Sequence, residues 1–134
     1  MADNPNRADD VLLWVKNAEE DYDSAGKLLD AGGAPSVICF LCQQTAEKYL
    51  KALLIYQDIE VVYTHELDAL VDLIPTELNL EAEIAGYEEL TDYAVGVRYP
   101  GFGNEIDATE AGRVFDIASA VREAVRRKLT DILG

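Results

Sequence analysis

Few residues in this 134-residue chain have the type and spacing for chemistry, and Arg98 is the first of them. Between Lys51 and Arg113 it is the only lysine or arginine, in a stretch holding fourteen acids. Tyr99, Pro100 and the glycine-containing Gly101-Phe102-Gly103-Asn104 follow it. A guanidinium beside a phenol ring suits a nucleotide, by bidentate contact to phosphate and by stacking. It suits equally a structural anchor tying a helix end to nearby carboxylates. His65 is the only histidine, and histidine is the side chain whose unperturbed pKa lets it move protons near neutrality. Its structural reading is a hydrogen bond across to the polar stripe of a neighbouring helix. That stripe is Gln43, Gln44, Glu47, Lys48 and Lys51, most simply a solvated face and otherwise a shared groove or interface. Gln44, Lys48, Lys51, His65, Arg98 and Tyr99 make up the candidate ligand-binding set, and no residue is assigned as catalytic.

Cys39 and Cys42 are spaced C-x-x-C. Structural zinc wants four ligands, which His65 cannot complete, and a redox pair of this spacing belongs beside a strand rather than inside a helical run. We read both thiols as small buried hydrophobes and expect no metal and no cofactor. The acids Glu19, Glu20, Asp21 and Asp23 read as ordinary exposed helix acids. Arg122, Arg126, Arg127 and Lys128 read as complements to the dipole at a helix C-terminus.

The elements that position these residues are helical. Val11, Trp14, Val15, Ala18, Tyr22, Ala25 and Leu29 keep the three-four rhythm of one helical face, with Asp9 or Asp10 as cap and Gly32-Gly33 as stop. Pro35 opens a second helix to about Tyr56, with Cys39, Cys42, Ala46, Tyr49, Leu50 and Leu53 as its apolar stripe. Val37, Phe40, Leu41 and Ile55 lie outside that stripe, the mark of a helix that is central or shared with a partner, so we expect a homodimer. A third helix is expected from a Thr64 cap to Pro75. A fourth is expected from Leu80 to Arg98 along Leu80, Ile84, Tyr87, Leu90, Ala94 and Val97. A long last one starts from a capping box at Asp107 and Glu110 and runs to Ile132. The expected fold is all-α, a single domain over residues 1–134 built as an antiparallel up-and-down bundle of about five helices.

Charge and composition limit the partners. The net charge is −15 from 26 acids and 11 bases, so the surface as a whole repels phosphate and any nucleic-acid contact must be local. No apolar run approaches the length of a membrane span, and the N-terminus lacks the pattern of a signal peptide. We expect a soluble, cytoplasmic protein without membrane contact.

The run Gln43-Gln44-Thr45-Ala46-Glu47-Lys48-Tyr49-Leu50-Lys51-Ala52-Leu53-Leu54, then Thr64-His65-Glu66-Leu67, then Arg98-Tyr99-Pro100, resembles the HEPN family of prokaryotic helical proteins over nearly the whole chain. The resemblance implies a dimerising bundle, commonly encoded beside or fused to a minimal nucleotidyltransferase. Some members are metal-independent ribonucleases, often toxins of toxin–antitoxin pairs; others bind nucleotides or act without catalysis. The catalytic members carry an arginine and, four to six residues later, a histidine. Here Arg98 is followed by Tyr99-Pro100-Gly101-Phe102-Gly103-Asn104-Glu105, without histidine. The resemblance therefore implies a non-catalytic module acting through a partner, with a nucleotide or RNA as the ligand it could hold. A ribonuclease or toxin is the first alternative, and a ligand-free structural dimerisation bundle is the second.

Overall fold

The computed structural model describes residues 6–94 and 105–134. Arg98, Tyr99 and the glycine loop after them fall outside these residues. Among the described residues there is no strand. The elements are α1 (Arg7–Ala31), α2 (Pro35–Tyr56), α3 (Leu67–Asp72), α4 (Leu80–Glu83), α5 (Ala108–Lys128) and α6 (Thr130–Leu133), with 3-10 segments at Thr76–Leu78 and Tyr87–Tyr93.

The long helices start and stop for local reasons. Gly32 ends α1 in the left-handed region at φ 72°, and the N–H of Gly33 reaches back 2.7 Å to the carbonyl of Leu28. This is the double turn that a residue without Cβ permits. Pro35 then occupies the first turn of α2, where its missing N–H costs nothing. The three-residue connection makes α1 and α2 antiparallel neighbours packed along their length. Asp107 caps α5 by accepting from the N–H of Glu110 at 2.8 Å, as its spacing predicts.

α2 is the central element. It packs on α1, on α5, on α3 and on the 3-10 segment Tyr87–Tyr93. Its predicted apolar stripe is wholly buried, and so are Ile38, Thr45, Ala52 and Leu54 on other sides of it. Of the four apolar residues outside that stripe, Val37 is exposed and Phe40, Leu41 and Ile55 are half-buried, so the apolar breadth that suggested a partner is only partly covered within the chain. Cys39 and Cys42 are free and buried. Burial, and then the nearby Cys39, pushes the Cys42 thiol up to about 12. No helix among the described residues is long and apolar enough to cross a membrane.

Three expectations are corrected. α1 starts at Arg7, so Asp9 and Asp10 lie inside its first turn, where they favour the dipole, rather than capping it. α3 starts at Leu67 rather than Thr64; the Leu67 N–H is held by Thr91 Oγ1 at 3.1 Å, while Thr64 Oγ1 accepts only from Glu66 N. The single helix expected from Leu80 to Arg98 is instead α4 followed by the 3-10 segment, broken at Gly86, whose φ is 90°. Ile84, Tyr87, Leu90 and Tyr93, spaced by threes, are all buried, and three is the period of a 3-10 helix. The inward residues were legible, but the winding was not.

Two outcomes follow. Gly86→Ala forces a side chain into a left-handed turn and lowers stability by about 1–3 kcal/mol in a denaturant titration. Native Cys39 and Cys42 react with a thiol reagent at pH 8 far more slowly than in the unfolded chain; fast stoichiometric labelling of folded protein would show the buried assignment to be wrong.

Candidate functional site

Gln43, Glu47 and Lys51 recur every four residues and share one stripe of α2, directed inward rather than to solvent. Their exposures are 0%, 4% and 7%, which corrects the reading of a solvated face. Glu47 is the hub. Its Oε2 accepts from Lys51 Nζ at 2.9 Å, and its Oε1 accepts from Gln43 Nε2 at 2.9 Å and faces His65 Nδ1 at 2.8 Å. Gln43 Nε2 also donates to the His65 carbonyl at 3.3 Å, and Gln44 Nε2 donates to Gln43 Oε1 at 2.6 Å. Lys51 lies over the Trp14 ring of α1, 5.5 Å from its centroid.

A carboxylate so placed is favoured as the ion. Burial alone would raise the Glu47 pKa, but hydrogen bonds from Lys51, Gln43 and His65 and the Lys51 charge outweigh it and hold the group below the ordinary value of 4.5. The histidine side chain remains 66% exposed, so its Nε2 edge is open while Nδ1 is held. The cross-helix hydrogen bond expected of His65 is thus present, and the ring is fixed in direction by a buried acid.

Of the predicted set, Gln44, Lys51 and His65 are brought together by Gln43 and Glu47. Lys48 is not: it sits on the next stripe and pairs with Asp21 of α1 at 2.6 Å. Arg98 and Tyr99 lie outside the described residues. Leu67, two residues after His65, is bonded to Thr91 in the segment that leads toward them.

A second network was missed by sequence reasoning. Glu19 of α1, read as an ordinary exposed acid, receives both arms of Arg122 from α5, Nε at 2.6 Å and Nη2 at 2.7 Å. The Tyr49 hydroxyl of α2 donates to Glu19 and accepts from Arg126 Nη1 at 3.1 Å. Burial would raise the Glu19 carboxyl, but the bonds from Arg122 and Tyr49 and the charges of Arg122 and Arg126 hold it below 4.5. Burial, followed by the bond to Glu19, pushes Tyr49 up to about 12. Arg122 also covers the Tyr22 ring at 4.7 Å, and Tyr22 stacks on Phe115 with centroids 5.0 Å apart. The available signal was the placement of Arg122 and Arg126 one helical turn apart, each directly after a core valine. Lys128 and Arg127 pair with Glu83 of α4, so the C-terminal cations of α5 serve cross-helix ion pairs as well as the dipole. No group of three or more metal-ligating side chains occurs among the described residues.

These geometries predict the acid limb of stability. Glu19 and Glu47 have folded pKa values below their unfolded ones, so their contribution is present above about pH 4.5 and is lost as pH falls through the folded values. Glu47→Ala leaves Lys51 buried without its partner and costs about 3–5 kcal/mol, whereas Lys48→Ala at the more open pair costs at most about 1 kcal/mol. Equal losses in urea titrations would show that Glu47 is not the hub.

The HEPN domain model matches residues 11–128. The chain is similar to TT1696 from Thermus thermophilus, at 26% identity and a TM-score of 0.73 over 92% of this chain and 98% of that one. It is also similar to ST0689, described as an archaeal HEPN homologue, at 25% identity and a TM-score of 0.65 over 88% of this chain and 96% of that one. No curated protein matches the chain significantly. With the matched model covering most of the sequence and two solved structures sharing its helical arrangement, the chain belongs to the HEPN domain family.

Proposed function

We infer that this chain is a non-catalytic HEPN module that works through a partner protein, with a minimal nucleotidyltransferase as the partner the family resemblance implies. The observation that carries the reading is the employment of His65. The only imidazole in the sequence closes the buried Glu47 network and ties the segment before α3 to α2, and the stretch after Arg98 supplies no second one. The cations of α5 are likewise engaged, Arg113 with Glu89 and the rest with Glu19 or Glu83. Arg98 and Tyr99 are our proposed nucleotide contacts, on the sequence argument that a lone guanidinium in an acidic stretch is a natural phosphate ligand. Gln44, Lys51 and His65 stand as secondary candidates, and Lys48 is the weakest because Asp21 already holds it. The homodimer is a further proposal and rests on the family resemblance and on Val37, Phe40, Leu41 and Ile55 of α2, none of which is fully buried within the chain.

A second reading draws on one feature: an exposed imidazole whose Nδ1 is oriented by a carboxylate presents Nε2 as a general base does. In that reading the protein is a metal-independent ribonuclease, such as the toxin of a pair, with His65 as base and Arg98 on the phosphate. Incubating purified protein with RNA in the presence of a chelator separates the two. We expect no cleavage; cleavage that His65→Ala abolishes would replace the first reading with the second.

Arg98→Ala is expected to weaken a bound nucleotide by about ten- to a hundredfold, the loss of one charge-assisted contact, with its melting temperature unchanged. Arg98→Lys recovers only part, because ammonium lacks the planar fork. Lost stability with intact binding would instead make Arg98 a helix anchor, and failure of any nucleotide to shift the melting curve of the wild type would favour the ligand-free bundle.

A further inference from the structure

The C-terminal end of α2 holds a groove that neither polar network uses. Asp10 of α1 and Ile55, Asp58, Ile59, Glu60 and Val61 line an open space of about 360 Å³. Its floor is aliphatic, from the partly buried Ile55, Ile59 and Val61, and its rim is three carboxylates. None of Asp10, Asp58 and Glu60 forms an ion pair with a base among the described residues. Apolar exposure continues beside the groove. Leu13, one turn along α1 from Asp10, is 58% exposed, and Val62 and Tyr63 follow directly on Val61 with the Tyr63 side chain entirely in solvent.

This end of α2 is also built against its own local preferences. Asp58 takes the left-handed φ of 59° in a turn where Asp58 N bonds Ile55 O and Ile59 N bonds Leu54 O, both at 2.9 Å. Glycine is the usual occupant of that position. A carboxylate there faces the negative end of the helix dipole, where a cation is favoured. Asp58 and Glu60 thus add negative charge at a site that already repels it, and a cation arriving from outside relieves the repulsion.

We propose that this groove docks a segment of a partner protein that presents an aliphatic or aromatic side chain flanked by lysines or arginines. The proposal rests on the reading that the chain works through a partner, and it names the surface and the chemistry. Charge selects the occupant. A second copy meeting this groove face to face would set the same three carboxylates against themselves, so a homodimer forms elsewhere, and the negative rim repels nucleic acid. A basic segment meets complementary potential at the rim, while the aliphatic floor and Tyr63 supply the apolar contact that separates a specific ligand from a merely cationic one.

The test uses the full chain and two synthetic peptides of equal positive charge. One has a leucine–tyrosine–leucine centre between lysine pairs, and the other has three serines in that centre. The leucine peptide is expected to bind saturably and to shift the backbone amide resonances of residues 10–13 and 55–63. The combined variant Asp10→Asn, Asp58→Gly, Glu60→Gln is expected to lose about tenfold or more in affinity in low salt while melting no lower than the parent. Leu13→Ser with Tyr63→Ser is expected to abolish the preference for the leucine peptide. The proposal is overturned by equal binding of the serine peptide, by unchanged affinity in the carboxylate variant, by shifts mapping to another face, or by a dimer that Leu13→Ser with Tyr63→Ser dissolves. Shifts on another face would leave the partner-dependent module standing with its partner seated elsewhere. That module fails on a different result, namely His65-dependent cleavage of RNA.

Discussion

Glu47 carries a negative charge in the middle of a helical bundle, and most of the arrangement around it answers that constraint. A carboxylate at 4% exposure has lost nearly all of its water, a cost of several kcal/mol that nearby donors must offset. Lys51 one turn on, Gln43 one turn back and His65 from the segment before α3 supply them, and Trp14 of α1 covers the lysine. Removing Glu47 would leave the Lys51 ammonium buried without its partner, so the network holds α1, α2 and the approach to α3 together through this one carboxylate. Apolar packing at the same stripe would be at least as stable in principle. What the polar form adds is direction, because the bond to Glu47 holds the His65 ring and the segment before α3 in one orientation on α2.

The clasp at Glu19 does comparable work farther along. One carboxylate is shared by Arg122 and Tyr49, and through Tyr49 by Arg126, so α1, α2 and α5 meet at a point where helix packing alone leaves freedom to slide. Bidentate Arg–carboxylate geometry fixes direction as well as distance. The two networks occupy different stripes of α2, and between them Ala46 and Leu50 remain in an apolar core. α2 therefore combines a buried polar stripe on one side, and the single Tyr49 hydroxyl on another, with an apolar interior. A pattern of that kind looks like a solvated face when read along the sequence alone.

That is why the sequence was legible for the fold and only partly so for the site. Apolar spacing located α1, α2 and α5, and Gly32, Pro35 and Asp107 marked three of their ends, because those signals are local. The 3-10 winding after Gly86 escaped because its residues alternate between spacings that α and 3-10 helices share, and its one distinguishing mark was a run of apolar residues at intervals of three. Gln43, Glu47 and Lys51 were singled out, but their burial depends on His65, more than a dozen residues away, and on Trp14 in another helix. The bond of His65 to the α2 stripe was predictable as a type of contact. For the pairing of Glu19 with Arg122, separated by over a hundred residues, the placement of Arg122 and Arg126 after core valines marked the cations, but nothing local named Glu19 as their partner.

The distribution of charge that results has a consequence for what this protein meets. Eight of the ten lysines and arginines among the described residues are engaged in ion pairs with the chain's own acids: Lys27, Lys48, Lys51, Arg113, Arg122, Arg126, Arg127 and Lys128. Positive charge is thus used in pairs within and between helices, and the excess among the 26 acids sets the sign of the field outside. Long-range attraction then favours basic protein surfaces and slows the approach of polyanions. An anionic ligand must be captured at short range by a cation, and Arg98, isolated from other bases in its stretch of sequence, is the natural candidate.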